Sequence, residues 1–444
     1  MSKTTTQSKV MDDNDQESQL TNQLQLTASP LAWLNGLREQ AATSVKRLPL
    51  PTTRDEEWRF TDISQLSKIA FAAALPANRL QAADVAQFYI DEATIRLVFV
   101  DGYFAAEFCS GGANSGAEVF SLLAATAAQA AAVKPHLGQH AAFANEVFTA
   151  QNTATLQDAA VVIVPQAVSV TTPVHVLFIA SQKDVVNTPR CLLLAETGSA
   201  VTVIEDYVEL SQAHATASHF TNAVTEILLE DNAQLTHIRL QREGSKAFHI
   251  ANCAVALGRA SNYQSVSVAL GARISRYNLQ ALQTAEGSQC TLDGLTLISG
   301  RQLADTHTCI DHAKPHGISQ QLHKCIVGGS AHAVFNGKVI VAEGAQRTDA
   351  KQSNRNLLLT AKTHIDTKPQ LQIFAADVKC THGATVGQLD SEEVFYLQSR
   401  GLTATAAHNL LTYAFGAEVI DRIPITSLKQ QLEQTVLAQT EGQL

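Results

Sequence analysis

The sequence lacks the marks of several function classes. No stretch approaches the ~20 consecutive apolar residues of a helical membrane span, so no membrane association of that kind is expected. No GxxxxGK[ST] occurs, which excludes nucleotide hydrolysis through a P-loop in this chain. A GxGxxG after a strand and a GxSxG nucleophile elbow are missing too. Cysteine is sparse and scattered: Cys109, Cys191, Cys253, Cys290, Cys309, Cys325 and Cys380 make an odd set without a CxxC, not a disulfide framework. Charged residues make up only 16%, and the net charge of -9 argues against a surface that coats nucleic acid. The N-terminal tail before Ser29 carries Asp12, Asp13, Asp15 and Glu17. It has neither the apolar core of a secretory signal nor the Arg-rich face of a transit peptide, so the cytoplasm is the expected compartment.

What is present is 45% hydrophobic residues in a chain of 444 residues, ample for a packed core. The polar tail, residues 1–28, is expected to be disordered, having little to bury. Ser29-Pro30 reads as the start of a helix carrying Leu31, Leu34 and Leu37 at helical spacing, with Pro49 and Pro51 as its stop. An Ala-rich stretch over 121–133 is helical in propensity, so residues 29–145 read as a mainly helical unit. Near Ala159 the pattern shifts to short β-rich runs, among them VVIV (161–164), VHVLFIA (174–180), CLLLA (191–195), VTVIEDYVEL (201–210) and LTHIRLQ (235–241). No amphipathic helix of ~12 residues separates them, which argues against a doubly wound sheet.

A small turn phrase recurs between these runs: GSA (198–200), DNA (231–233), GRA (258–260), EGS (286–288), GGS (328–330), EGA (343–345) and HGA (382–384). Glycine or asparagine supplies a positive φ, and the small neighbour lets coils stack. The predicted fold is therefore mainly β, a right-handed parallel β-helix over residues 146–388 flanked by helical regions. A β-sandwich with Gly-containing hairpins is the alternative. After Gly387, Asp390 reads as a helix cap and residues 389–444 as three helices, with Gly401 at the first break and the group capping the open end of the solenoid.

Two clusters offer metal-binding chemistry. The segment from Thr306 to Cys325 holds His307, Cys309, His312, His316, His323 and Cys325, but at no zinc-module spacing, and alternate strand residues point to opposite faces. The bland reading is surface and loop histidines. In DVKCTHGATVG (377–387), Cys380 and His382 stand two apart, so on a strand they share a side and make half of a soft-metal site. Here the bland reading is a packed cysteine beside a solvent-facing histidine. Glu205, Asp206 and Glu209 read as a solvated face, and Trp58 and Phe60 as packing between helix and solenoid.

RDEEWRFTDIS (54–64), DHAKPHGISQQLHKCIVGGSAHAVFNGKVIVAEGAQRTDAKQSNRNLLLT (311–360) and IDTKPQLQIFAADVKCTHGATVGQLDSEEVFYLQSRGL (365–402), with the terminal helices, resemble the SufB/SufD family of iron–sulfur cluster assembly proteins, in its SufD branch. The resemblance implies a helical N-terminal region, a parallel β-helix and C-terminal helices. It implies a non-catalytic SufD-like subunit that pairs with a SufB scaffold through the β-helix core. A SufC ATPase would dock on the C-terminal helices, and the complex would build nascent clusters and support iron acquisition. A homodimer is the expected form of the isolated chain. The resemblance also makes His382 the metal-binding residue at the SufB interface and gives Cys380 a lesser role. The iron or iron–sulfur cluster there would be transient and shared with SufB, with none held stably by this chain alone. Gly383 stands where the SufB branch has glutamate, and no cysteine occurs in the stretch Leu357–Pro369, which disfavours the alternative of a SufB-type scaffold. A polysaccharide-active β-helix enzyme is the remaining alternative.

Overall fold

The computed structural model describes residues 28–76, 80–111, 115–210 and 218–441. The tail expected to be disordered lies outside them, apart from Ala28. The centre of the fold is a parallel β-helix of about eight coils, in which successive strands alternate between two sheets. Strands such as Phe220–Leu229, Phe248–Leu257, Ile274–Gln283, Leu303–His312, His332–Val341 and His364–Ile373 stack in the first sheet. Gln234–Gln241, Asn262–Ala269, Gln289–Ile298, Ile318–Val327, Asp349–Leu358 and Lys379–Gly387 stack in the second. The register is unbroken: Phe220 pairs with Phe248, Phe248 with Ile274, Ile274 with Leu303 and Leu303 with His332, so successive coils are of nearly equal length.

The corners explain how the sequence specifies this register. Gly198, Asn232, Ala260, Gly287, His316 and Arg347 all have positive φ, and each stands just before a strand of the second sheet. Their amides bond to the next coil, for example Gly198 N to Asp231 O at 2.9 Å and His316 N to Gln346 O at 2.9 Å. The residue after each is small and buried: Ser199, Ala233, Ser261, Ser288, Gly317 and Thr348. At Gly317 an added Cβ would sit 2.1 Å from Gln283 Oε1 and 2.6 Å from His312 Nδ1, so both side chains would have to shift to admit one. The phrase HGA at 382–384 is not a corner. It lies within the strand Lys379–Gly387, because the Cys380–Val386 alternation follows the pairing pattern of the coil below.

Side chains alternate between the solenoid interior and its outer faces. Leu235, Tyr263 and Cys290 form one inward column, while Ile238, Leu240, Val266, Val268, Leu295 and Leu297 point outward from the second sheet. That outward face is covered by the helices Ala404–Ile420 and Thr426–Glu441 through Val419, Ile420, Leu428, Leu432 and Val436. These helices thus lie along the sheet rather than across the solenoid end, because the second sheet presents a long apolar outer face that needs burial. Asp390 caps the preceding helix, Ser391–Ser399, by accepting from Glu392 N at 2.8 Å; no side chain of that helix is buried.

The outer face of the first sheet is covered by the N-terminal region, where Trp58, Ile63, Leu66, Phe71 and Phe148 pack on Phe220, Phe248, Ile250 and Ile274. Trp58 meets Phe148 at 5.6 Å, which fits its expected packing role. The first described helix spans Ala32–Arg47 and starts beyond the expected cap: Ser29 Oγ accepts from Leu31 N at 3.2 Å instead. The same region adds the strand Ile95–Val100, parallel to Val174–Ala180 in the second sheet. Antiparallel strands Tyr103–Phe104 and Glu118–Ser121 then close the N-terminal edges of the two sheets. No described helix is long and apolar enough to cross a membrane.

Because Leu428 is fully buried between helix and sheet, Leu428→Ala removes both contacts and transfer energy. It is expected to cost about 2–5 kcal/mol in chemical denaturation. Unchanged denaturation would mean that the helices are not packed on the sheet.

Candidate functional site

The C-terminal end of the solenoid differs from the N-terminal end. Strands His364–Ile373 and Lys379–Gly387 are the last members of their sheets, each paired on one side only among the described residues. Around them Phe374, Val386, Phe395 and Tyr396 are exposed, at 66%, 50%, 70% and 56%. An uncovered edge beside exposed apolar side chains is a pairing surface.

The strand Lys379–Gly387 holds both residues singled out from sequence. Cys380 pairs with Ala350 and His382 with Gln352, and both belong to the inward-facing columns. Cys380 is half-buried and packs against Val339, Val341, Ala345, Ala350 and Ala375. Burial raises its thiol above the ordinary range, which favours the unreactive protonated form. His382 is exposed. No third histidine, cysteine or carboxylate among the described residues converges on the pair. Below His382 lies Gln352, 2% exposed, with neither carboxamide atom hydrogen-bonded among the described residues. A buried amide of that kind marks a place where a polar partner is wanted. Sequence alone did not single it out, since its position under His382 depends on the coil register.

The histidines and cysteines between Thr306 and Cys325 are dispersed. His307 and Cys309 lie on the outer face of the first sheet, His312 points inward from it, His316 is a corner, and His323 and Cys325 point inward from the second sheet. His316 is an exposed corner, as expected of a loop histidine, but His312 and His323 are buried, since a coil in mid-stack turns alternate residues into the core. Burial pushes His312 down to about 4 and His323 down to about 3, while Cys325 is pushed up to about 12. These groups are neutral near pH 7 and make no common site.

The expected solvated face at Glu205 and Asp206 is also corrected. Both are buried, Glu205 facing the interior and Asp206 the outer side. Glu205 accepts hydrogen bonds from Tyr207 and from Thr225 Oγ1 at 2.7 Å, and pairs with His237 at 2.9 Å. Burial works to raise its carboxyl, but these bonds outweigh it and hold it at about 2. Asp206 is held by Arg242 and by His175 at 3.4 Å. Such sealed, paired carboxylates cannot reach a sugar chain, so the polysaccharide-active alternative loses its residues.

Comparison with known proteins agrees with this geometry. Residues 178–415 match the model described as "SUF system FeS cluster assembly, SufBD core domain", and residues 16–176 match the SufBD protein N-terminal region. This chain belongs to the SufBD family. It is 44% identical over 411 residues to an iron–sulfur cluster assembly SufBD family protein of Synechocystis sp., covering 91% of this chain and 90% of that one. It is 34% identical to the iron–sulfur cluster assembly protein SufD of Escherichia coli, over 89% and 90% of the two chains. Protein ABCI7, chloroplastic, of Arabidopsis thaliana is 29% identical over 91% and 86%.

In this SufBD chain the RDEEWRFTDIS segment ties the N-terminal region to the solenoid through charge. Glu57 contacts His307 Nδ1 at 3.3 Å and Lys338 Nζ at 3.2 Å, while Asp305 binds Arg276 and sits 2.9 Å from His307 Nε2. Arg276 also lies 3.9 Å over the Trp58 ring. Burial would raise Asp305, but Arg276 and His307 hold it at about 2; Glu57, bonded to His307 above all, is also held at about 2. Burial would lower His307, but Asp305 and Glu57 raise it. The carboxylates therefore contribute stability above pH ~4 that is lost as pH falls toward ~2. The His307 contribution is full below ~6.5 and is lost as pH rises through its raised value. Asp305→Asn leaves the buried Arg276 unpaired and is expected to cost about 3–5 kcal/mol near pH 6. The gap from wild type should narrow as pH falls from ~4 toward ~2 in thermal melts. A gap independent of pH would contradict the charged pairing.

Proposed function

We propose that this SufBD protein is the SufD-type, non-catalytic subunit of an iron–sulfur cluster assembly complex in the cytoplasm. It pairs with a SufB scaffold through the open C-terminal coil of its β-helix. A SufC ATPase, which carries the ATP hydrolysis, docks on the C-terminal helices. The nascent cluster is a cargo shared across the SufB interface, with His382 as this chain's contribution and Cys380 as a weaker one, and the complex serves iron acquisition. The observation that carries this reading is the exposed His382 on an edge strand paired on one side only, without enough neighbouring ligands among the described residues to hold a cluster that generally takes four. Phe395 and Tyr396, exposed on a helix with no buried side chain, support a further protein contact there. The solenoid homodimer expected of the isolated chain would use the same open edges.

The experiment is co-expression with SufB and SufC partners. The wild-type chain is expected to co-purify with both. His382→Ala, which opens no core cavity, should leave the complex and its melting temperature unchanged while cluster content after anaerobic reconstitution falls severalfold. Full cluster content in an intact His382→Ala complex would overturn the assignment.

A further inference from the structure

The outer face of the first sheet carries three ligating side chains that the proposed assembly role does not use. His332 opens the strand His332–Val341 and His364 opens His364–Ile373, and the register places them directly opposite each other on adjacent coils. Their ring centroids are 4.8 Å apart at 63°. Asp366, next but one after His364, points to the same face and completes the group. Its Oδ2 lies 2.8 Å from His332 Nε2 and 3.1 Å from His364 Nε2. One ligand atom from each residue falls within 4.8 Å of the others, and among the described residues no other group of three histidine, cysteine or carboxylate ligands converges in this way.

The surroundings suit a bound ion better than a plain surface contact. Under His332 in the same column are Leu303 and Ile274, and under Asp366 is Val334, which is 3% exposed. The group therefore rests on an apolar floor, with the His332 and Asp366 side chains 25% and 22% exposed and His364 open to solvent at 67%. Asp366 has no lysine or arginine in ion-pair contact among the described residues, unlike Asp305 in the same sheet, which is paired with Arg276. Both imidazole Nε2 atoms are aimed at one carboxylate oxygen. Ligand atoms around a tetrahedral ion at ~2.0–2.1 Å stand about 3.3–3.5 Å from one another. The two Nε2–Oδ2 separations, 2.8 and 3.1 Å, fall a few tenths of an ångström short of that value, so small rotamer adjustments that spread the donors admit an ion between them.

We propose that His332, His364 and Asp366 bind a divalent first-row transition ion of the Fe(II) or Zn(II) class. Two imidazoles and one carboxylate on a single side of the ion leave its solvent side free for water or a further ligand. The site is separate from the Cys380–His382 pair, which lies on the inward side of the other sheet. It does not depend on the proposed assembly role. Because His364 and Asp366 sit on the edge strand, a chain paired there would lie beside the ion.

Titration of the full, metal-free chain with Co(II), followed by visible absorption, tests the proposal. One equivalent is expected to bind with the d–d bands of nitrogen and oxygen ligands and without a thiolate charge-transfer band. His364→Ala and Asp366→Asn should each weaken binding at least tenfold, and His332→Ala with His364→Ala should abolish it. Cys380→Ser with His382→Ala should bind as wild type does. Far-ultraviolet circular dichroism confirms that each variant is folded, and Asp366→Asn, nearly isosteric, serves if the histidine variants are not. Absence of stoichiometric binding would overturn the proposal. So would equal binding by Asp366→Asn or the double histidine variant, or a thiolate band that disappears with Cys380→Ser.

Discussion

Parallel pairing of each coil with the next is the interaction on which the rest of this protein depends. In a β-helix the backbone donors and acceptors of one coil are satisfied by the coils on either side, so an interior coil has no free edge. The unbroken register from Phe220 to His364 keeps every column of side chains aligned. That alignment creates the apolar stripe on which the C-terminal helices lie. It also brings His332 opposite His364, and Gln352 beneath His382. The same rule leaves the final coil without a successor. At the N-terminal end antiparallel strands close the sheets, whereas Lys379–Gly387 and His364–Ile373 end theirs open.

The interior of the solenoid is polar for a core, with Glu205, His237, Arg239 and His249 all buried. Glu243 is fully enclosed, paired with His219 at 3.4 Å and His249 at 2.7 Å. Burial opposes its charge, but the two imidazoles hold its carboxyl well below the ordinary range. Buried histidines without a carboxylate beside them, such as His312 and His323, are driven neutral instead. The buried carboxylates Glu205 and Glu243 are thus charged beside imidazole partners, as burial in a low-dielectric interior requires. Groups free to bind something are left to the surfaces and the open end, where His382 and the His332–His364–Asp366 cluster stand.

Much of this was legible in the chain itself. Short β-branched runs marked the strands, with VHVLFIA falling on Val174–Ala180, and Gly198, Asn232 and Gly287 marked corners. The alternate spacing of Cys380 and His382 correctly placed both on one side of a strand. What failed required knowledge of neighbours one coil away. Glu205 and Asp206 look like a polar face until His237 and Arg242 are placed beside them. One corner puts its positive φ on His316 rather than on the adjoining Gly317, and HGA at 382–384 imitates a corner while lying in a strand. His332 and His364 stand a full coil apart in the chain, a separation that becomes contact only through the register. The C-terminal helices carried visible apolar stripes, but only the outward columns of the second sheet show where those stripes are buried.

As proposed, a second solenoid would pair on the open C-terminal coil and complete the site. Backbone hydrogen exchange across Lys379–Gly387 tests it most directly, comparing the chain alone with the chain after addition of a SufB partner. Amides on an unpaired strand edge exchange readily, and hydrogen bonding to a new strand protects them. Marked slowing is expected in this segment, with little change at interior strands such as Phe248–Leu257. A stable complex in which Lys379–Gly387 exchanges as fast as in the isolated chain would contradict it.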